Sequence, residues 1–116
     1  MTEKARELGR MMGQGEEYKA LERARQRAMD DRELTAALNR LGELEKEIGG
    51  QLRAGHEPSP QQQEEYETLF GQLQSSSIYQ GLVAAQSNFD KVLGRVNQNI
   101  SEGIESGSKS RIILPT

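Results

Sequence analysis

No cysteine occurs in the 116 residues. Its absence removes disulfides, thiolate nucleophiles and cysteine-ligated zinc or iron–sulfur clusters, and it fits a cytoplasmic protein. Histidine occurs once, at His56. A general base needs oriented partners, and a metal needs three or four converging ligands. His56 has only Glu57 beside it in a loop, so it reads as a solvent-exposed residue. No Glu-x-x-His pattern of the helical di-metal type is present. The acidic pairs Asp30-Asp31, Glu64-Glu65 and Glu43 with Glu45 fall on polar faces and read as solvated surface. The 12 glycines form no dinucleotide fingerprint and no phosphate-binding loop. Those within helical segments, Gly9, Gly42, Gly71, Gly81, Gly94 and Gly103, either permit close packing or lie on exposed faces. No cofactor, metal or enzymatic activity is therefore expected.

Positive charge is also scarce. The net charge is −3, and residues 1–54 hold 11 basic and 11 acidic side chains, so the deficit lies in the second half. No strong basic field is available for a phosphate backbone. Tyr18, Tyr66 and Tyr79 are scattered and form no stacking platform. Direct nucleic-acid binding is disfavoured. A local patch of Arg95, Lys109 and Arg111 keeps an RNA-associated role as the alternative reading. No apolar run approaches the ~20 residues that cross a bilayer, and the opening Met1-Thr2-Glu3-Lys4 has no signal-peptide core.

Apolar side chains are few. Leu, Ile, Val and Phe together number 23, about a fifth of the chain, which is the edge at which one copy can bury a sufficient core. A thin apolar supply favours an oligomer, in which one copy covers what another cannot.

Helical periodicity is what the chain has in abundance. From Ser77 to Glu105 a single stripe runs through Ile78, Leu82, Ala85, Phe89, Val92, Val96, Ile100 and Ile104, with Leu93 beside it. Steps of three and four place these on one helix face. Up to Val96 they alternate as in a coiled coil, and beyond it two steps of four let the seam drift. Ser77 and Gln80 have capping-box spacing. Such a helix is longer than a compact domain of this size is wide. It must cross the whole molecule or project into a partner. Ile78, Leu82, Phe89, Val92, Val96, Ile100 and Ile104 are the candidate interface.

Earlier elements follow the same logic. Thr2 to Met12 carries Ala5, Leu8, Met11 and Met12 on one side, and Gly13-Gln14-Gly15 breaks it. Glu16 to about Met29 places two acids at its positive end and Tyr18, Leu21, Ala24, Ala28 and Met29 on its apolar face. Asp30 and Glu33 have capping-box spacing, which marks either a fresh helix or a kink. Leu34, Leu38, Leu41, Leu44, Ile48 and Leu52 then run to about Ala54. Gly49-Gly50 within that stripe suggests a weak point or a close helix approach. Residues 55–59 form a turn, with Gly55 suited to a left-handed helix end and Ser59, Pro60 and Gln62 to the next helix start. Pro60 to about Gln74 turns Tyr66, Leu69, Phe70 and Leu73 inward, and Ser75–Ser77 resets or bends the chain.

The expected architecture is all-α. Two long arms run antiparallel around the 55–59 turn and self-associate through helix faces. Residues 1–106 form a single helical domain. Residues 107–116 form a flexible tail with an apolar tip, Ile112-Ile113-Leu114, that could dock on a partner, fold back or stay free.

With the helices in place, the residues resemble the YlbF/YmcA family of small bacterial helical regulators. The likeness covers about Ala5 to Ile104. It rests on Glu16-Glu17-Tyr18-Lys19-Ala20 with Ala24, and on Asp31-x-Glu33-Leu34 opening a leucine-striped helix. Ser59-Pro60-Gln61-Gln62 and the run from Val96-Asn97-Gln98-Asn99-Ile100 to Ile104 complete it. The resemblance implies an all-α cytosolic protein that self-associates, as a homodimer or larger, and acts through protein partners. It implies a regulator of competence, biofilm formation or sporulation. In some members this works through a complex acting on an RNA-processing endonuclease. Some members carry cysteines tied to an iron–sulfur cluster, and with no cysteine here that property does not carry over.

Overall fold

The computed structural model describes residues 1–113, with side chains through Lys109. Five helices follow one another: α1 (Thr2–Gly13), α2 (Glu16–Asp30), α3 (Arg32–Arg53), α4 (Pro60–Ser75) and α5 (Ser77–Ile113). There is no strand among the described residues.

Two single residues give the chain its shape. Asp31 separates α2 from α3 with extended backbone, at φ −92° and ψ 109°. Ser76 separates α4 from α5 in nearly the same conformation, at φ −82° and ψ 118°. One non-helical residue in each arm suffices because each is a cap. The Leu34 N–H donates to Asp31 Oδ1 at 2.9 Å, and the Tyr79 N–H donates to Ser76 Oγ at 3.2 Å. These bonds satisfy orphan donors that a helix start otherwise exposes. Thr35 Oγ1 donates back to the Ala28 carbonyl at 3.2 Å and ties α3 to α2. Asp31 therefore breaks the first arm, and the cap is Asp31 rather than Asp30. Asp30 instead accepts from the Gln26 side chain one turn back. The α5 cap likewise falls one residue before the expected Ser77, and the Gln80 side chain donates to the Gln74 carbonyl.

The arms are joined by the turn after α3. The Gly55 N–H donates to the Leu52 carbonyl at 3.1 Å and the His56 N–H to the Gln51 carbonyl at 2.8 Å. This paired pattern requires a left-handed residue at Gly55, which has φ 83°, a conformation glycine adopts without a Cβ clash. The next helix starts on a complete capping box. The Gln62 N–H donates to Ser59 Oγ, and Gln62 Oε1 accepts from the Ser59 N–H.

Reversal at this turn lays α4 antiparallel on α3 and α5 antiparallel on α2. Tyr18 meets Phe89 edge to face at 5.1 Å, and Arg25 reaches Gln86 at 3.5 Å. The breaks at Asp31 and Ser76 border one groove. Beneath them Ala28, Leu34, Ala37 and Leu73 are buried, with Leu38, Leu41, Leu69, Ile78, Tyr79 and Leu82 packed around. Leu21 in α2 and Leu44 in α3 are fully buried away from this elbow. The result is long and thin, 71 × 38 × 21 Å. Its radius of gyration is 21.4 Å, against about 13 Å for a compact chain of this length.

Two expectations are corrected. α3 runs unbroken through Gly49-Gly50, and a Cβ at either would meet nothing within 4 Å. No close approach explains them. α5 runs to Ile113 rather than ending near Glu105, so the expected tail is helical over 107–113. Serine and glycine weaken a helix without stopping it, no proline intervenes before Pro115, and Lys109 pairs with Glu105 one turn back at 3.3 Å. Leu114 and the side chains of Ile112 and Ile113, the apolar tip, lie outside the described residues.

Removing the Asp31 cap by Asp31→Ala should cost about 1 kcal/mol, read as a lower urea midpoint with an unchanged slope. Gly71→Ala, at an open position in α4, should add up to about 1 kcal/mol. A Gly71→Ala variant less stable than the parent would contradict the open geometry.

Candidate functional site

The seven residues of the candidate interface fall into two groups along α5. Ile78 and Leu82 pack into the elbow core. Phe89 lies against Tyr18. Val92 and Val96 are half-buried. Ile100 and Ile104 are exposed, at 47% and 68%.

Helix length explains the division. Tyr18, two residues after the start of α2, sits opposite Phe89, so the cover given by α2 ends just past that point. α5 is 37 residues long, about 55 Å at ~1.5 Å per residue, and roughly its last 20 residues extend beyond α2. Leu93, Ile100 and Ile104 continue the buried stripe onto this free segment and remain exposed. Between Val92 and Lys109 the acids and bases, Arg95, Glu102, Glu105 and Lys109, lie around the other side of the helix at spacings of seven and four. Asn97, Ser101 and Gly103 flank the stripe without charge. The projecting end of α5 is thus an amphipathic rod whose apolar side chains Ile100 and Ile104 stay exposed among the described residues.

α1 has the same character. Leu8 and Met12 are half-buried, Met11 is 66% exposed, and none of its residues is buried. Its main packing is against α2, beyond the Gln14–Gly15 turn. The sequence marked α1 as amphipathic but did not single out its face as a site.

Charged chemistry centres on Arg40, which the sequence reading also passed over. Its Nε donates to Glu65 Oε1 at 2.5 Å and its Nη2 to Glu65 Oε2 at 3.0 Å, a two-pronged clasp between α3 and α4. Glu43 and Glu47 approach the same guanidinium at 3.3 and 3.5 Å. The spacing 40, 43, 47 on one face was a legible sign that an arginine stood among acids. Hydrogen bonding to Arg40 holds the Glu65 carboxyl below the usual glutamate range. Bonding to Glu65 holds Arg40 above the ordinary arginine value. His56 stands exposed in the turn. Among the described residues no three His, Asp or Glu side chains converge on a common point. Clasp and turn hold the hairpin in shape; neither arranges a nucleophile, base and acceptor around a substrate.

These features define an all-α bent hairpin with a projecting amphipathic rod, in which no helix among the described residues is long and apolar enough to cross a membrane. The chain belongs to the YlbF/YmcA family, described as "Control of competence regulator ComK", whose family model matches residues 1–105. That family is linked to control of a competence regulator, so the role is regulatory in kind and implies protein interaction. The chain is also similar to a UPF0342 protein of Oenococcus oeni (strain ATCC BAA-331 / PSU-1). The two are 26% identical over 101 residues, covering 87% of this chain and 89% of that protein.

The clasp makes a pH-dependent prediction. Its contribution from Glu65 is present above the unfolded glutamate pKa of about 4.3 and is lost as pH falls through the lower folded value. Glu65→Gln should be less stable than the parent by the same margin at pH 7 and pH 6, and the gap should begin to narrow as pH falls below about 4. Urea midpoints across that range measure it. A gap that persists undiminished at pH 3 would show that the carboxylate charge is not what matters.

Proposed function

We propose that this chain is a non-enzymatic regulatory adaptor that self-associates and acts through protein–protein contact. The observation that carries this reading is the bare apolar stripe of Leu93, Ile100 and Ile104 on a rod that leaves the rest of the molecule. Uncharged flanks suit such a surface, because interface centres are depleted of charge. A homodimer formed through this face, inside the cytoplasm, is the simplest assembly that covers it. A protein partner could then be bound by the dimer or compete for the same face. Control of competence is the kind of output the family membership supports; biofilm formation or sporulation is what the resemblance implies.

An RNA-binding role through Arg95, Lys109 and Arg111 has less support. Lys109 is paired with Glu105, and Glu102 stands seven residues from both Arg95 and Lys109 on the same face. The patch is mixed in sign rather than basic, and an RNA contact through it would be weak and strongly salt-dependent.

Mass by light scattering tests the proposal. The parent should give twice the 13.0 kDa chain mass at micromolar concentration. Ile100→Asp with Ile104→Asp should give the single-chain mass with helical content retained. Each lost apolar contact is worth about 1.5–3 kcal/mol, so the dimer should weaken by roughly tenfold or more per site. A parent that is a folded monomer at high micromolar concentration rejects self-association.

A further inference from the structure

We propose that the groove between α2 and the first part of α5 is the docking site for a helix of another protein that carries two carboxylates four residues apart. This inference rests on the adaptor reading and supplies a surface for the partner. It is separate from the bare end of α5.

The groove measures about 530 Å³. Small residues shape it, Ala20 and Ala24 from α2 and Gly81, Ala84 and Ala85 from α5. A Cβ at Gly81 would meet nothing within 4 Å, so this side of α5 stands clear of its own chain. Along α5 the groove runs from Ser77 to Asn88. That is ~17 Å at ~1.5 Å per residue, or about three helical turns. A short trough between two antiparallel helices takes a third helix, because alanine and glycine let its side chains seat against the backbone.

Charge decides which kind of helix. Arg23 and Arg27 are the charged side chains lining the groove, and both are exposed. They stand one turn apart on α2. Neither forms an ion pair among the described residues. The sequence removes each nearby carboxylate. One turn before Arg23 stands Lys19, and one turn before Arg27 stands Arg23 itself. The acids one turn after Arg27 are Asp30 and Asp31, and both are engaged. Asp30 Oδ1 accepts from the Gln26 side chain at 3.1 Å, and Asp31 Oδ1 accepts from the Leu34 N–H at 2.9 Å. Across the groove α5 offers no acid.

Like charges four apart on a helix repel, so the pair weakens α2 and gains nothing inside the chain. Carboxylates at the same spacing on an incoming helix meet both guanidiniums, each through two parallel hydrogen bonds. Nucleic acid fits this groove less well. No aromatic side chain lines it for bases to stack on, and the net charge is −3.

A contact of three turns is at the small end of interfaces, so binding is read by NMR. The probe is a hydrocarbon-stapled, alanine-based helix with two glutamates four residues apart and a leucine on the same face. The staple is needed because so short a helix is marginal in water. Added to the isotope-labelled full chain, it should shift the amide signals of residues 20–27 and 77–88 and leave those of Ile100 and Ile104 in place. Lysines in place of the probe's glutamates should weaken binding at least tenfold, as should Arg23→Gln with Arg27→Gln. Gly81→Leu fills the groove, keeps both arginines and has no in-chain contact to oppose it. It should also weaken binding at least tenfold.

Unchanged binding to Gly81→Leu, or equal binding of the lysine probe, overturns the proposal. An oligouridylate that shifts these signals where the glutamate probe does not assigns the groove to RNA and overturns it too. If Arg23→Gln with Arg27→Gln lowers the parent's mass by light scattering, the occupant is a second copy and the assignment to another protein is wrong. Groove shifts in a chain that is monomeric uphold this inference while self-association fails. A dimer that gives no groove shifts does the reverse.

Discussion

Capping of two helices at one level of the molecule is the constraint on which the structure depends. Asp31 and Ser76 each supply one side-chain oxygen to a backbone N–H three residues on. Each interrupts its arm by a single extended residue. Because the arms run antiparallel, the two interruptions fall side by side, and both arms bend together without separating. A break in one arm alone would force the unbroken helix away from the kinked one and open the core between them. The matched pair instead places Ala28, Leu34, Ala37 and Leu73 in one buried cluster at the bend. That cluster holds together helices otherwise paired two by two, and the Arg40–Glu65 clasp fixes the α3·α4 half from the side.

The bend also decides where the free surface lies. α2 is 15 residues long and α5 is 37. With both anchored at the elbow and running in opposite directions, the excess length of α5 must emerge past the start of α2. Its exposed apolar side chains are therefore a consequence of unequal helix lengths rather than of a local defect. The stripe that packs inside the hairpin at Ile78 and Leu82 is the same one that lies bare at Ile100 and Ile104. One periodic pattern serves an intramolecular core at one end and is free for contact at the other.

Much of this was legible in the residues. Periods of three and four gave the helices, Gly55 and Ser59 gave the turn, and the excess of stripe over cover in α5 followed from length alone. What was hidden depended on comparing neighbours of similar kind. Asp30 and Asp31 are adjacent and chemically alike, so spacing to Glu33 favoured one while the backbone N–H of Leu34 chose the other. Ser75, Ser76 and Ser77 posed the same ambiguity at the second break. The extent of α5 was underread because glycine and serine look like linker. A helix already long enough to be nucleated needs only marginal residues to continue. Arg40 was missed because charges on a helix are usually solvated. Its bidentate partner lies 25 residues away across the turn, beyond any local pattern.

A small core gives the self-association reading a thermodynamic consequence. Among the described residues, Leu21, Leu44 and Leu73 are the large side chains that are wholly buried, and an elongated chain exposes more surface than a compact one of equal mass. Folding stability of the lone chain then rests on few contacts. Cover supplied by a second copy would bind the folded state and not the unfolded one, so stability and assembly become linked through concentration. A regulator built this way need not move a hinge or hold a ligand to change state. Competition for one apolar face, by another copy or by a target, shifts the population of dimer by as much as the competitor's affinity allows. The rod would then be at once the element that completes the fold and the element that reports on partners. Such dual use would account for an apolar stripe that continues, its seam drifting after Val96, past the point where the described residues bury it.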